Sequence, residues 1–485
     1  MKRLGLVLVL ATLPAAAPAA DSYSIRDLGG EDVAVKAIAD DGASWVGCVA
    51  DEQAGTFRPA LWTDAEGSET VTNLAGSDVG CAEGLSGDAT QIVGWTDSFQ
   101  AASWGDGTVS EPTDLGTVPS KALDVNGSGT AVGWKGTSRR AILWTSEGSE
   151  VDLGALVEGT SEAAAINDAG TIVVGWRLNG SAFQAVQWTS GEGGWTATDL
   201  AGLGGSGSQA RDVNESGAVA GWARDESGNK RAVLWQSGTP TDLGTLGGSE
   251  SEAAAVNDSG EVVGWSDVEG SDTTHGFLWN GSTLEDLNGK TGASDWTVTE
   301  AWVIGDGGEI IGKALWTGQV TAAGESATSV DLELTRTVLL APGAGAAAPP
   351  EAPMTIAAVD PATLTNDTNK PENLELPFGL FDIEVDVPVG GTAMITLKLP
   401  QAVAEGTVWY KYDDTTGWSE FSGAQFNSTR DEVTLTLVDG GAGDQDGVAD
   451  GRIRDPSGPG RVAASTSTSS SGGGGGGCFL QALTR

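Results

Sequence analysis

The chain has 485 residues, 67 of them acidic against 25 basic, for a formal net charge of −42. That length suits two or three domains with a sizeable core. The charge argues against nucleic acid or an anionic membrane as partner, since both repel such a surface. Abundant glycine, threonine, valine and tryptophan, with few strong helix formers, point to β-structure.

Residues 1–20 read as a secretory signal peptide. Lys2 and Arg3 open it, Leu4 to Leu13 form an apolar core, and Ala15 to Ala20 supply small residues for cleavage. No cysteine stands at the cleavage site, and no later run holds enough consecutive apolar residues for a transmembrane helix. The expectation is an exported chain, extracellular or attached to the cell surface.

From residue 21 to 320 one phrase recurs with a period of about 43 residues. An Asp-Leu or Asn-Leu step falls at Asp27, Asn73, Asp114, Asp152, Asp199, Asp242 and Asp286. A glycine closing an apolar strand falls at Gly47, Gly94, Gly133, Gly175, Gly221, Gly264 and Gly312. Tryptophan follows it in the five inner copies, with Cys48 and Lys313 in its place at the two ends. A third landmark is Trp62, Trp104, Trp144, Trp188, Trp235, Trp279 and Trp316. Each copy carries four strand candidates, with turns such as Asn257-Asp258-Ser259-Gly260 built from residues that tolerate positive φ. Four antiparallel strands make one propeller blade, and neighbouring blades must stack to bury both faces. The expected fold is all-β: a seven-bladed β-propeller closed by the N-terminal strand Tyr23 to Leu28, followed by a small β-sandwich. Closure by an exchanged strand leaves no open edge. The rival architecture is an open solenoid with polar capping repeats.

The copies resemble the bacterial extracellular HAF repeats. His275-Gly276-Phe277 stands where that family carries its His-Ala-Phe triplet, while Arg140-Ala141-Ile142, Gln184-Ala185-Val186 and Arg231-Ala232-Val233 depart from it. The resemblance covers about 300 residues. It implies export and no activity.

Residues 321–353, ending in APGAGAAAPPEAP, read as a linker. Residues 354–460 show short alternating strands and the expected β-sandwich. Their stretches PFGLFDIEV from Pro377, GTVWYKYDDTTGW from Gly406 and VDGGAGDQDGVADGRIRDPSGPG from Val438 resemble the choice-of-anchor U domain. Residues 461–485 form a Ser/Gly-rich tail in which six glycines precede Cys478-Phe479. This resembles the start of a surface-sorting signal, without the apolar span that follows in such proteins.

Four features are candidates for chemistry. Cys48 and Cys81 fall on neighbouring repeats and suit a disulfide in an exported chain, the alternative being two buried thiols. Asp439, Asp444, Asp446 and Asp450 share a Gly-rich loop resembling part of a calcium site; the alternative is a solvated acidic loop. Trp195, Trp296 and Trp302 break the tryptophan rhythm and are candidates for surface binding of carbohydrate or protein. His275 occupies a repeated strand-end position, so neither a Ser-His-Asp triad nor a histidine zinc site has support. The resulting expectation is a monomeric, non-catalytic binding or display module. A secreted carboxylate-based polysaccharide-active enzyme on a propeller scaffold is the alternative.

Overall fold

In a computed structural model, residues 22–462 are described apart from 30–32, 52–55, 66–67, 75–78, 97–98, 106–112, 116–118, 271–272, 322–328, 344–353, 360–363, 387–391, 400, 446 and 450–451. The signal-peptide segment and the tail with Cys478 lie outside the described residues.

The described chain is all-β, with six four-stranded antiparallel sheets in sequence order. Their first strands are Val33–Ile38, Gly80–Leu85, Ser120–Val125, Ser161–Ile166, Gly204–Val213 and Gly247–Val256. A further sheet begins with Trp296–Ile304, continues through Ile310–Thr321 and Ser329–Pro342, and takes Tyr23–Gly29 against the last of these. The first strands touch one another in turn, and Trp296–Ile304 returns to Val33–Ile38. They surround a central channel, the arrangement of a β-propeller.

The repeated residues account for this packing. Every first strand carries a β-bulge. The bulge drives a first-strand carbonyl against the glycine of the second strand. A Cβ on Gly47, Gly133 or Gly264 would overlap the carbonyl oxygen of Ala34, Lys121 or Glu252. Only glycine fits there. Serines on the first strands tie sheets together: Ser120, Ser161, Ser208 and Ser251 accept the N–H of Ala101, Ala141, Ala185 and Ala232 on the preceding sheet. Landmark tryptophans Trp62, Trp104, Trp144, Trp188 and Trp235 are buried between sheets. The indoles of Trp188 and Trp235 donate to the carbonyls of Leu153 and Ala201.

The Asp-Leu step also has a physical role. In four copies its leucine is buried, while its aspartate pairs with a basic side chain of the same sheet: Asp152 with Arg140, Asp199 with Arg177, Asp242 with Arg231 and Asp286 with His275. Asp27 does the same with Arg336, both of whose bonding nitrogens lie 2.7–2.9 Å from its carboxylate. This pair joins the N-terminal strand to Ser329–Pro342 across most of the chain.

Part of the segment expected as linker is strand. Ser329–Pro342 is long enough to serve two neighbours. Its first residues pair with Thr392–Lys398 and its last with Tyr23–Gly29. The sheet therefore runs on from the ring into Thr392–Lys398, Glu432–Val438 and Ala424–Phe426. A second sheet holds Met354–Val359, Leu380–Asp386, Arg452–Val462, Val408–Asp413 and Gly417–Glu420. The two share one apolar core containing Ile383, Trp409 and Ile453 from one sheet and Ile395, Leu435 and Leu437 from the other.

Candidate functional site

The central channel draws residues from every first strand, around a cavity of about 270 Å³. Its lining follows from the bulge, which turns one residue per strand inward: Lys36, Glu83, Leu123, Ala164, Arg211, Ala254 and Trp302. These residues hold the repeat register yet share no chemistry, so this layer is free of the constraints that fix the landmarks.

One step further along lie Asp124 and Asp212, where other strands carry small or apolar residues. Asp124 accepts the N–H of Val125 and, from the next sheet, of Ile166. Asp212 does the same with Val213 and Val256. Burial pushes the Asp124 carboxyl up to about 7, against the pull of the Ile166 N–H, with Asp212 and Asp168 adding repulsion. Burial likewise pushes Asp212 up to about 6, against its two N–H donors.

The channel opens at the turns that follow the first strands. Asp40, Asp168, Glu215, Asp258 and Asp306 stand around this mouth. The repeated turn asparagine builds the rim. Its amide oxygen closes its own hairpin, as Asn167 does for Thr171 and Ile172, and its NH2 reaches the next turn, as Asn214 does to the Asn257 carbonyl. The acids continue the chain of contacts: Glu215 accepts from Ala169 N–H, Asp258 from Glu215 N–H, and Asp306 from Asp258 N–H. Gly87 leaves room for the Asp40 carboxylate, which a Cβ there would displace from its present position. Burial, then repulsion from Asp306, Asp168, Asp258 and Asp41, pushes Asp40 up to about 6. Burial also raises Asp168 and Asp306, with further repulsion from neighbouring carboxylates.

The opposite end of the first strands is different. There Glu83 pairs with Lys121, Glu162 with Arg139, and Glu252 with both Arg211 and Lys230. The second-landmark tryptophans take cations on their faces, Lys121 on Trp95, Arg139 on Trp134 and Lys230 on Trp222. Cys48 occupies this tryptophan position in the first sheet and Cys81 the facing position in the second; the two are joined by a disulfide.

The three rhythm-breaking tryptophans sit in three environments. Trp195 lies on the outer strand Gly194–Asp199, partly buried against a cluster that includes Trp188. Trp296 is 4% exposed and packs among Leu287, Val298 and Ala301. Trp302 lines the channel, its indole donating to Glu300 at 2.9 Å. In the acidic loop, Asp439 and Asp444 are buried, and Asp444 accepts the N–H of Gly440 and Arg454. Asp446 and Asp450 lie outside the described residues. Among the described residues, no three His, Cys, Asp or Glu side chains are arranged to hold a metal ion, and no helix is long and apolar enough to cross a membrane.

Sequence reasoning did not single out Asp124, Asp212 or the mouth carboxylates. The available signal was a column of acids one place after the turn asparagine, at Asp168, Glu215 and Asp258.

No family model matches the chain, and no curated protein matches it. Solved structures similar to it include the β-propeller domain of the Trilobed protease from Pyrococcus furiosus, at 9% identity and a TM-score of 0.39, over 65% of this chain and 94% of that one. TolB from Acinetobacter baumannii is similar at 12% identity and a TM-score of 0.33, over 62% and 64%. The acylaminoacyl peptidase of Pyrococcus horikoshii is similar at 10% identity and a TM-score of 0.38, over 65% and 59%. The chain thus spans less than two thirds of the length of the last two.

Proposed function

We propose that this chain is an exported, non-catalytic HAF-repeat protein, a seven-bladed propeller sealed by its N-terminal strand, that binds a ligand at the cell surface or outside the cell. Its C-terminal part acts as a choice-of-anchor U-like stalk. Support for the sealed ring comes from the pairing of Tyr23–Gly29 with Ser329–Pro342 and from the buried Asp27–Arg336 pair. Export is supported by the basic and apolar residues 2–13 and is consistent with the Cys48–Cys81 disulfide.

The observation that carries the binding reading is the convergence of Asp40, Asp168, Glu215, Asp258 and Asp306 on one channel mouth, while the cations nearby in sequence pair at the opposite end. Spread round a rim, these carboxylates suit an extended cationic ligand such as a basic peptide segment. Electrostatic attraction would steer such a ligand to the channel.

The enzyme reading rests on Asp124 and Asp212, two channel carboxylates with raised pKa values. Each of their oxygens already accepts a backbone N–H, a structural clamp between sheets. Incubating the purified protein with oligolysine and with a polysaccharide panel, while following both binding and release of reducing ends, separates the readings. Saturable oligolysine binding without product is expected; sustained product release from any polysaccharide would overturn the non-catalytic reading.

A further inference from the structure

The C-terminal two-sheet unit holds a lysine and an aspartate side by side against its apolar core. Lys411 on Val408–Asp413 stands opposite Ser457 on Arg452–Val462. Side chains alternate along a strand, so Asp455 shares that face with both. The same register sets Phe381 opposite Ser457 and Ile383 opposite Asp455, and both apolar residues belong to the main core. Asp455 is 0% exposed. Its Oδ1 lies 3.2 Å from Lys411 Nζ, and its Oδ2 accepts the Ser457 hydroxyl at 2.6 Å. Lys411 Nζ also stands 5.5 Å from the Phe421 ring centroid.

Charge separation is unfavourable in such surroundings. Burial pushes the Asp455 carboxyl up despite the opposing pull of Lys411 and Ser457. Were one proton to pass from the ammonium to the carboxylate, both charges would be removed. An amine lone pair would then stand beside a neutral carboxylic acid, the two held in contact by paired strands, which are the reactants of an amide condensation at high effective concentration.

We propose that Lys411 and Asp455 join in an intramolecular isopeptide bond. The Lys411 Nζ–Asp455 Cγ bond forms and one Cγ–O bond breaks. The departing hydroxyl takes a proton from the nitrogen and leaves as water. Negative charge developing on Oδ2 in the tetrahedral intermediate is stabilised by the Ser457 hydroxyl already bonded there. No oxidant, cofactor or second protein takes part. The product staples Arg452–Val462 to Val408–Asp413 through their side chains as well as their backbones.

Peptide mapping by mass spectrometry of the full chain, reduced and unfolded before trypsin, tests this. A cross-linked species is expected in which the Lys411 and Asp455 peptides are joined with the loss of one water, and Lys411 is not cleaved. Lys411→Arg keeps a cation beside Asp455 but cannot form the amide. It should restore the unmodified Asp455 peptide and lower the unfolding temperature of this unit by roughly 10 °C. Ser457→Ala should lower the cross-linked fraction in freshly made protein several-fold. Separate, unmodified peptides from the wild-type chain would overturn the bond. Cross-linking of Ser457→Ala at the wild-type rate would overturn the role given to Ser457.

Discussion

The two ends of the central channel use the same acidic composition in opposite ways. Where the first strands begin, Glu83, Glu162 and Glu252 each meet a lysine or arginine from an adjacent sheet, and tryptophans cover the cations. Where they end, Asp40, Asp168, Glu215, Asp258 and Asp306 meet mainly one another and backbone N–H groups. Paired charges join the sheets at one end, while at the other, among the described residues, carboxylates face and repel one another. The disulfide belongs to the first pattern: it bridges the first two sheets at the position where other sheets are joined by cations, glutamates and tryptophans.

Perturbing the two ends should move stability in opposite directions. The largest effect is expected from Cys48→Ser with Cys81→Ser, which removes a cross-link over a sequence separation of 33 and should cost about 3–4 kcal/mol in urea unfolding. Next is Glu252→Ala, which strands both Arg211 and Lys230 at a half-buried site and should cost about 2 kcal/mol. Inside the channel and at its mouth the sign reverses. Asp124, Asp212 and Asp40 have folded-state pKa values of about 7, 6 and 6, above the usual aspartate value near 4. Between about pH 4 and pH 7 the folded state holds protons that the unfolded chain has released, so the contribution of these groups to stability falls as pH rises and levels off above the upper value. Melting temperature measured at low salt should be higher at pH 5 than at pH 8, and added salt should narrow the difference. The smallest effect is expected from Asp258→Asn. This exposed change should be neutral or stabilising by about 0.5 kcal/mol at pH 8; a loss of 2 kcal/mol or more would show that the mouth is held together by its carboxylates and would break the comparison.

The structural half of this contrast was legible in the sequence. The glycine before the tryptophan, the third-landmark tryptophans and the Asp-Leu step each answer a steric or pairing demand that recurs in most of the repeated sheets, so repetition exposed them. His275 was readable for the same reason, as the partner of Asp286 where other copies use Arg140 and Arg231. The mouth was harder to see. Acids after the turn asparagine satisfy local turn chemistry, and only ring geometry shows that turns far apart in sequence face one opening. Trp296 illustrates the converse: it breaks the rhythm but packs into the core, whereas Trp302, six residues on, enters the channel because a bulge turns it inward. Ser329–Pro342 carries no repeat signature in the sequence because half of it serves a neighbour outside the repeat, which removes the repeat's spacing.

The most direct test of the acidic mouth as the working surface is oligolysine titration by calorimetry at low salt. Three proteins would be compared: wild type, a mouth variant carrying Asp168→Asn, Glu215→Gln, Asp258→Asn and Asp306→Asn, and an outer-strand control carrying Asp152→Asn and Asp242→Asn. Wild type and control should bind alike, and the mouth variant should lose at least tenfold in affinity. Equal affinity in all three would show only diffuse attraction to an acidic surface and would contradict a binding site at the channel mouth.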